Sequence, residues 1–347
     1  MRSVQRTALR AAAALLLGGL LGGCASAPFN STIGAGVEAS RMAVLGWWLI
    51  GLMCFLTVGM TVLVVWGALR RRGTFAEHLP YDVDGGKAWI LIGGVAVPAV
   101  VLTALFFVTL AEFDARPVGY KTADVNIDLT AHQWWWEFNY RRTGVDGANE
   151  LSDGFETANE IHVPVGKPIG VQVRAADVIH SFWVPKLFGK LDAIPGHINY
   201  FVFKAIEPGV YFGLCAEFCG LQHANMQFTV VAESPEKYEA WVERQRSPAK
   251  APQTPELITG RNAFEENACA LCHTVRGTRA RGSVAPDLTH VGGRLTIAAG
   301  NLPNTRARMQ AWIVNAQAIK PGNRMPPLEQ FDGRTLNALA AYMESLK

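Results

Sequence analysis

The sequence predicts a multidomain chain: a two-helix transmembrane hairpin, an all-β domain of Greek-key type, and an all-α domain toward the C-terminal end. Three observations carry that expectation. Two long, uncharged apolar runs stand within the first 111 residues. Short strand-like runs split by Gly and Pro then extend from Lys121 to about Ala232. Finally, a Cys-x-x-Cys-His group at 269–273 lies between two helical patterns. The chain of 347 residues has room for two or three domains, and half of it is hydrophobic. That share is high for a soluble protein and is concentrated in the two runs. A net charge of +3 with no basic stripe argues against nucleic acid as a partner.

Residues 1–23 join a basic start (Arg2, Arg6, Arg10) to a short apolar core, the pattern of a signal peptide. Leu-Gly-Gly before Cys24 resembles a bacterial lipoprotein box, which implies cleavage there and lipid on the Cys24 sulfur. The alternative is an ordinary signal peptide with an incidental Cys24. Residues 24–41 make a short periplasmic segment. The first span runs from about Met42 to Leu69, longer than the ~20 residues that cross a bilayer. Trp47, Trp48 and Trp66 fall near its ends, as interfacial anchors do. Arg70-Arg71-Arg72 follows and marks that end as cytoplasmic. Residues 73–87 form a loop. The second span, about Ala88 to Leu110, contains Pro98, which neighbouring helices can accommodate. The hairpin thus covers 42–111, and the larger C-terminal part falls in the periplasm, outside a bacterial inner membrane.

The β domain covers 112–246. Val125–Thr130, Ile169–Val173, Tyr200–Phe203 and Gln227–Val231 read as strands, and an amphipathic helix, Pro235–Gln245, closes it. Within it, Tyr211–Met226 gathers Cys215, Cys219, His223 and Met226 in twelve residues, with Gly220 free to turn tightly. Zinc is the plain reading of such a cluster, but zinc has little use for a thioether. A Cys215–Cys219 disulfide is another reading. Thiolate, imidazole and a weak axial Met suit copper better. A second imidazole is then needed, and His180, in Asp-Val-Ile-His-Ser-Phe-Trp, is the candidate.

These two stretches together resemble the binuclear copper A domain of subunit II of haem–copper cytochrome c oxidases. The resemblance implies a cupredoxin-like fold and two coppers that share both thiolates. It assigns His180 and His223 one copper each, makes Met226 a weak ligand, and uses the Glu217 backbone carbonyl. It also implies that the Glu217 side chain helps hold magnesium at the border with subunit I. In the run Ala131-His132-Gln133-Trp134-Trp135-Trp136, the family's first Trp admits electrons to copper A, and Trp134 matches it. By composition alone that run reads as core, with alternate rings buried. Leu191–Gly196 is a further family stretch, near the magnesium and proton-exit region, although His197 stands where relatives often carry Arg. The family's Glu before the second span has no counterpart in Gly85-Gly86-Lys87-Ala88-Trp89. Asp82 and Asp84 lie upstream, out of register.

Residues 247–256, with prolines at 248, 252 and 255, read as a semi-rigid linker. The last domain, 257–347, carries Cys269-Ala-Leu-Cys272-His273, the attachment pattern of c-type haem. Cys269 and Cys272 would bond the haem covalently, and His273 would bind its iron. A thioredoxin-like pair is the alternative, but no βαβ pattern surrounds it. Helices over Leu257–Asn267 and Thr335–Leu346 flank the motif, an order that resembles class I cytochromes c. Met325, in Asn-Arg-Met-Pro-Pro, is then the expected sixth ligand, with His290 and Met309 as rivals. Pro286 is expected to present its carbonyl to the other nitrogen of His273.

Taken whole, the chain resembles subunit II of a caa3-type oxidase with a fused cytochrome c. The resemblance implies an electron relay from haem c to copper A and on to haem a in subunit I, where oxygen is reduced and protons are pumped. The haem a3–copper B site would lie in subunit I, with subunit III alongside. The donor would be soluble cytochrome c or an upstream quinol–cytochrome c reductase. Two other readings keep the same ligands: a subunit of a copper A-containing nitric oxide reductase, and a copper-storage module without turnover.

Overall fold

The computed structural model describes residues 27–70, 83–114, 119–141 and 154–347. Cys24, the expected signal peptide and most of the loop at 73–87 lie outside them. The chain forms two compact units, Gly46–Val118 and the remainder, Met1–Leu45 with Gly119–Lys347.

The apolar runs form helices. Helix α1 spans Val37–Arg70, and its stretch Val37–Leu69 is long and apolar enough to cross a membrane, as is Gly86–Ala111. Helix α1 begins before the apolar run because Glu38 sits in its first turn, where a carboxylate suits the exposed N–H groups. The second span is not one continuous α-helix. Helix α2 (Val83–Leu91) passes through a π-helical turn, Ile92–Ala96, into helix α3 (Val97–Asp114). The cause is Pro98. Its ring crowds the carbonyl of Gly94, four residues back, and it has no N–H to give that carbonyl. The wider turn relieves both conflicts.

In the other unit, ten strands make two five-stranded sheets. The first has the order β3 (Phe155–Ala158), β2 (Trp135–Arg141), β1 (Val125–His132), β5 (Ile169–Ala175), β8 (Asn199–Phe203). The second has the order β4 (Glu160–Pro164), β10 (Gln227–Glu233), β9 (Gly209–Cys215), β6 (His180–Trp183), β7 (Leu191–Ala193). Pairing is antiparallel except for β1 with β5 and β4 with β10. Those parallel pairs require the chain to cross between sheets, as a Greek key does. Ile127, Leu129, Phe138, Phe182 and Phe228 fill the space between the sheets and are fully buried. The expected alternation of buried rings holds only within β2, because Trp134 lies in the turn before that strand. Trp136 is buried, with its ring 5.5 Å from Phe182 and 5.4 Å from Phe228, whereas Trp134 and Trp135 remain partly exposed. Residues before α1 are stitched to this sandwich: Ala35 N donates to Lys186 O at 2.7 Å, and Ile206 N to Ala35 O at 2.9 Å. Helix α4 (Pro235–Arg246) follows, capped by Ser234.

The C-terminal region is helical. Helix α5 (Pro255–Glu266) starts at a proline in its first turn, where a missing N–H costs nothing, and is capped by Thr254. It crosses helix α9 (Gly333–Ser345) at Gly260; a Cβ there would lie 2.1 Å from the Ala338 carbonyl oxygen. Phe264 meets Tyr342 edge-on at 6.3 Å. Between them lie the short helix α6 (Cys269–Cys272), the two-residue strands β11 (Thr296–Ile297) and β12 (Leu302–Pro303), and helices α7 (Arg306–Val314) and α8 (Ala316–Ile319). Helix α7 escapes sequence reading because it buries only Met309 and Ile313, too few for a clear period.

Candidate functional site

The chain reverses between β9 and β10, and this turn carries the soft donors. Cys215 ends β9, a one-turn 3₁₀ helix spans His223–Asn225, and Met226 precedes β10. His180 comes from the start of β6, a neighbouring strand. The sequence-separated donors therefore meet because the sheet places β6 beside β9. Cys215 Sγ lies 3.8 Å from Cys219 Sγ and 3.9 Å from His180 Nδ1. Cys219 Sγ lies 3.6 Å from His223 Nδ1 and 3.8 Å from Met226 Sδ. Cys215 Sγ is 3.2 Å from the Glu217 carbonyl oxygen. Both cysteines are free thiols, and a sulfur separation of 3.8 Å is far beyond a disulfide bond. Among the described residues, the donor atoms of His180, Cys215 and Cys219 lie within 4.8 Å of one another, all buried.

The electrostatics suit a cation. The hydrogen bond shared by the two sulfurs holds the Cys215 thiol well below its ordinary value, against burial. The same bond pushes Cys219 up, because only one of the paired sulfurs can readily ionise without a metal. Burial opposes charge on His180, but hydrogen bonds to Cys215 and Asp177 outweigh it and raise the imidazole above its ordinary value.

A second layer of side chains fixes these donors. His180 Nε2 donates to Asp177 Oδ1 at 2.9 Å, which turns Nδ1 toward the sulfurs. Asp177 also accepts from Gln133 N at 2.7 Å and Val178 N at 2.8 Å. The Cys219 carbonyl accepts from Gln133 Nε2 at 2.8 Å and Trp134 Nε1 at 2.9 Å. Sequence reasoning singled out Trp134 but missed Asp177 and Gln133. The carboxylate three residues before His180 was the available signal. The Glu217 carboxylate faces outward, 44% exposed, with Lys190 Nζ 3.8 Å away and Asp192 beyond it.

The helical region holds a cavity of about 330 Å³ lined by Cys269, Cys272, His273 and Met325. His273 Nδ1 donates to the Pro286 carbonyl at 2.7 Å, leaving Nε2 for the cavity. Met309 also lines the cavity, whereas His290 turns away and donates Nε2 to the Ser247 carbonyl at 3.0 Å. The mainly apolar lining, with paired thiols, a His and a Met among it, suits a haem. His132, Gln133, Trp134 and Trp135 of the β sandwich complete the wall, so Trp134 touches both the cavity and the carbonyl of Cys219.

Comparison with known proteins agrees with this division. Residues 125–234 match the family described as cytochrome C oxidase subunit II, periplasmic domain, and residues 258–347 match cytochrome c. A cytochrome c oxidase subunit 2 of Alkalihalophilus pseudofirmus is 38% identical over 287 residues, covering 80% of this chain and 78% of the relative. The subunit 2 proteins of Bacillus subtilis and Bacillus sp. strain PS3 are 30% and 31% identical, each over 80% of both chains.

Proposed function

This chain belongs to the cytochrome c oxidase subunit II family, and from that membership we propose that it feeds electrons to a caa3-type oxidase through two centres of its own. It is an electron-relay subunit of a haem–copper oxidase, with a copper-binding β sandwich and a haem-binding cytochrome c domain. Its two apolar helices and periplasmic-type domain fit a membrane subunit.

The finer assignments are these. His180, Cys215, Cys219, His223, Met226 and the Glu217 carbonyl hold a binuclear copper A. Cys269 and Cys272 hold haem c by thioether bonds, with His273 and Met325 on its iron. The two metal centres supply one-electron chemistry; the chain holds them, dries them and fixes their approach. Trp134 is where electrons pass toward the copper side. The Glu217 carboxylate, which now faces Lys190 Nζ at 3.8 Å, would help hold magnesium at the border with subunit I. Subunit I carries haem a and the haem a3–copper B site, with subunit III beside it, in a bacterial inner membrane. The donor is soluble cytochrome c or a quinol–cytochrome c reductase. Cys24 carries lipid.

The observation that supports this reading best is Trp134, which lines the haem cavity while its indole N–H bonds the carbonyl of Cys219, 2.9 Å away. The test is metal and haem analysis of the purified chain. Two coppers and one haem c per chain are expected. Zinc, or a single copper, would overturn the copper A assignment.

A further inference from the structure

Lys320 follows helix α8 and is only 3% exposed. Its Nζ donates to the Trp134 carbonyl at 2.7 Å and the Asn225 carbonyl at 2.8 Å. Those acceptors sit on the two loops of the β sandwich that face the haem domain. One leads into β2 and bears the Trp134 indole. The other is the 3₁₀ turn that carries His223 and leads to Met226. A single ammonium from the haem domain therefore joins both loops. A buried cation is costly unless its donors are satisfied, so the carbonyls are part of the structure rather than incidental neighbours. Burial pushes the ammonium down to about 7, and the Cys219 sulfur opposes that shift.

The contact continues on both sides of Lys320. The Pro321 carbonyl accepts from Gln222 Nε2 at 2.7 Å. Gly322, at φ +81°, lies so close that a Cβ would come within 3.0 Å of Leu221 and 3.8 Å of Trp134. Asn301 Nδ2 donates to the Asn225 carbonyl at 2.7 Å, and Gln227 N donates to the Ala299 carbonyl at 3.0 Å. Met325 stands five residues beyond Lys320, on the same loop.

We propose that Lys320 is a positioning residue that locks the haem domain onto the copper domain, so that electrons cross from a standing contact rather than from tethered encounters. The inference rests on the proposed function above. In each crossing one electron leaves the reduced haem iron and reduces the oxidised copper centre. Loss of the lock leaves both centres intact but makes crossing wait on re-docking. The linker then supplies only an effective concentration near millimolar.

The test uses the full-length oxidase complex, with haem c photoreduced and reduction of the copper centre followed optically. In the wild type, the transfer rate should not change with solvent viscosity. In Lys320→Met it should fall at least about tenfold, because both charge-assisted hydrogen bonds of the lock are lost, and become viscosity-dependent. Amide exchange at residues 222–227 should accelerate, while the haem and copper spectra stay unchanged. Lys320→Gln, which keeps a neutral N–H₂ donor, should fall between; it also decides the matter should Lys320→Met not fold. A viscosity-dependent wild type overturns the proposal, as does a wild-type rate and exchange pattern in either variant. Absence of copper or haem c from the wild type would instead overturn the functional reading, which the spectra reveal separately.

Discussion

Replacing Asp177 by Asn should loosen the copper centre from outside its ligand set. The carboxylate accepts three hydrogen bonds, from His180 Nε2, Gln133 N and Val178 N. Hydrogen bonds to a charged group contribute roughly 1.5–3 kcal/mol each, and neutral ones about half that. An amide oxygen placed where Oδ1 now stands keeps His180 and Val178 but sets the amide N–H₂ against the Gln133 N–H. One bond is then lost and two become neutral, a loss of roughly 3–6 kcal/mol in folding stability. Held by a weaker partner, His180 no longer fixes Nδ1 toward Cys215, and such outer contacts are typically worth about 10–100-fold in metal affinity. Chelator competition on the purified protein reads the affinity, and denaturant unfolding of the apo form reads the stability. An Asp177→Asn variant that matches wild type in both would refute the view that Asp177 orients the ligand.

Three other outcomes follow from the same geometry. Cys215→Ser or Cys219→Ser should abolish the paired-copper spectrum, since in the proposed centre each thiolate is shared; a variant that retains two coppers by elemental analysis would contradict this. Met325→Ala should leave haem attached but remove its six-coordinate, low-spin spectrum, whereas His290→Ala should not, because His290 is already committed to the Ser247 carbonyl. The reverse result would make His290 the ligand. Burial, then the nearby Glu137 carboxylate, pushes Glu156 up to about 7, and its carboxylate accepts from Asp287 N at 3.1 Å. The folded state thus holds this proton more tightly than the unfolded chain, whose Glu titrates near ~4.3. Stability is present below that value and is lost as pH rises to about 7, by roughly 3 kcal/mol. Glu156→Gln should flatten this slope in denaturation measured between pH 5 and 8; an unchanged slope would dismiss Glu156 as its source.

The candidate copper donors stand out in the sequence because thiolate, imidazole and thioether are rare residue types and their spacing is local. Only His180 needed the fold, since the pairing of β6 with β9 brings it across. The haem attachment group is likewise self-contained, and so is the Pro286 carbonyl beside it. Lys320 was not legible. In Ala-Ile-Lys-Pro-Gly it reads as a surface cation, and its burial exists only because two domains meet there. Strands β3 and β4 were missed for a related reason. Phe155–Ala158 and Glu160–Pro164 carry Glu156, Glu160 and His162, which look solvent-facing until the haem domain and Trp241 cover them. Helix α1 shows the opposite case: composition alone located it, because a bilayer-length apolar run has few other uses.

The π-helical turn at Ile92–Ala96 has a bearing on how the second span meets its neighbours. Such a turn inserts about one residue, so side chains beyond it are rotated by roughly 100° relative to an unbroken helix. Ile90 and Leu91 before the turn, and Phe106 and Phe107 after it, therefore do not fall on the stripe that a uniform helical wheel would assign. A neighbour that packs along the lower half meets a different azimuth on the upper half. A scan of bulky substitutions along this span should show two separate phases of tolerance, with the break at Gly93-Gly94. Replacing Pro98 by Ala should remove the reason for the extra residue and merge the phases into one.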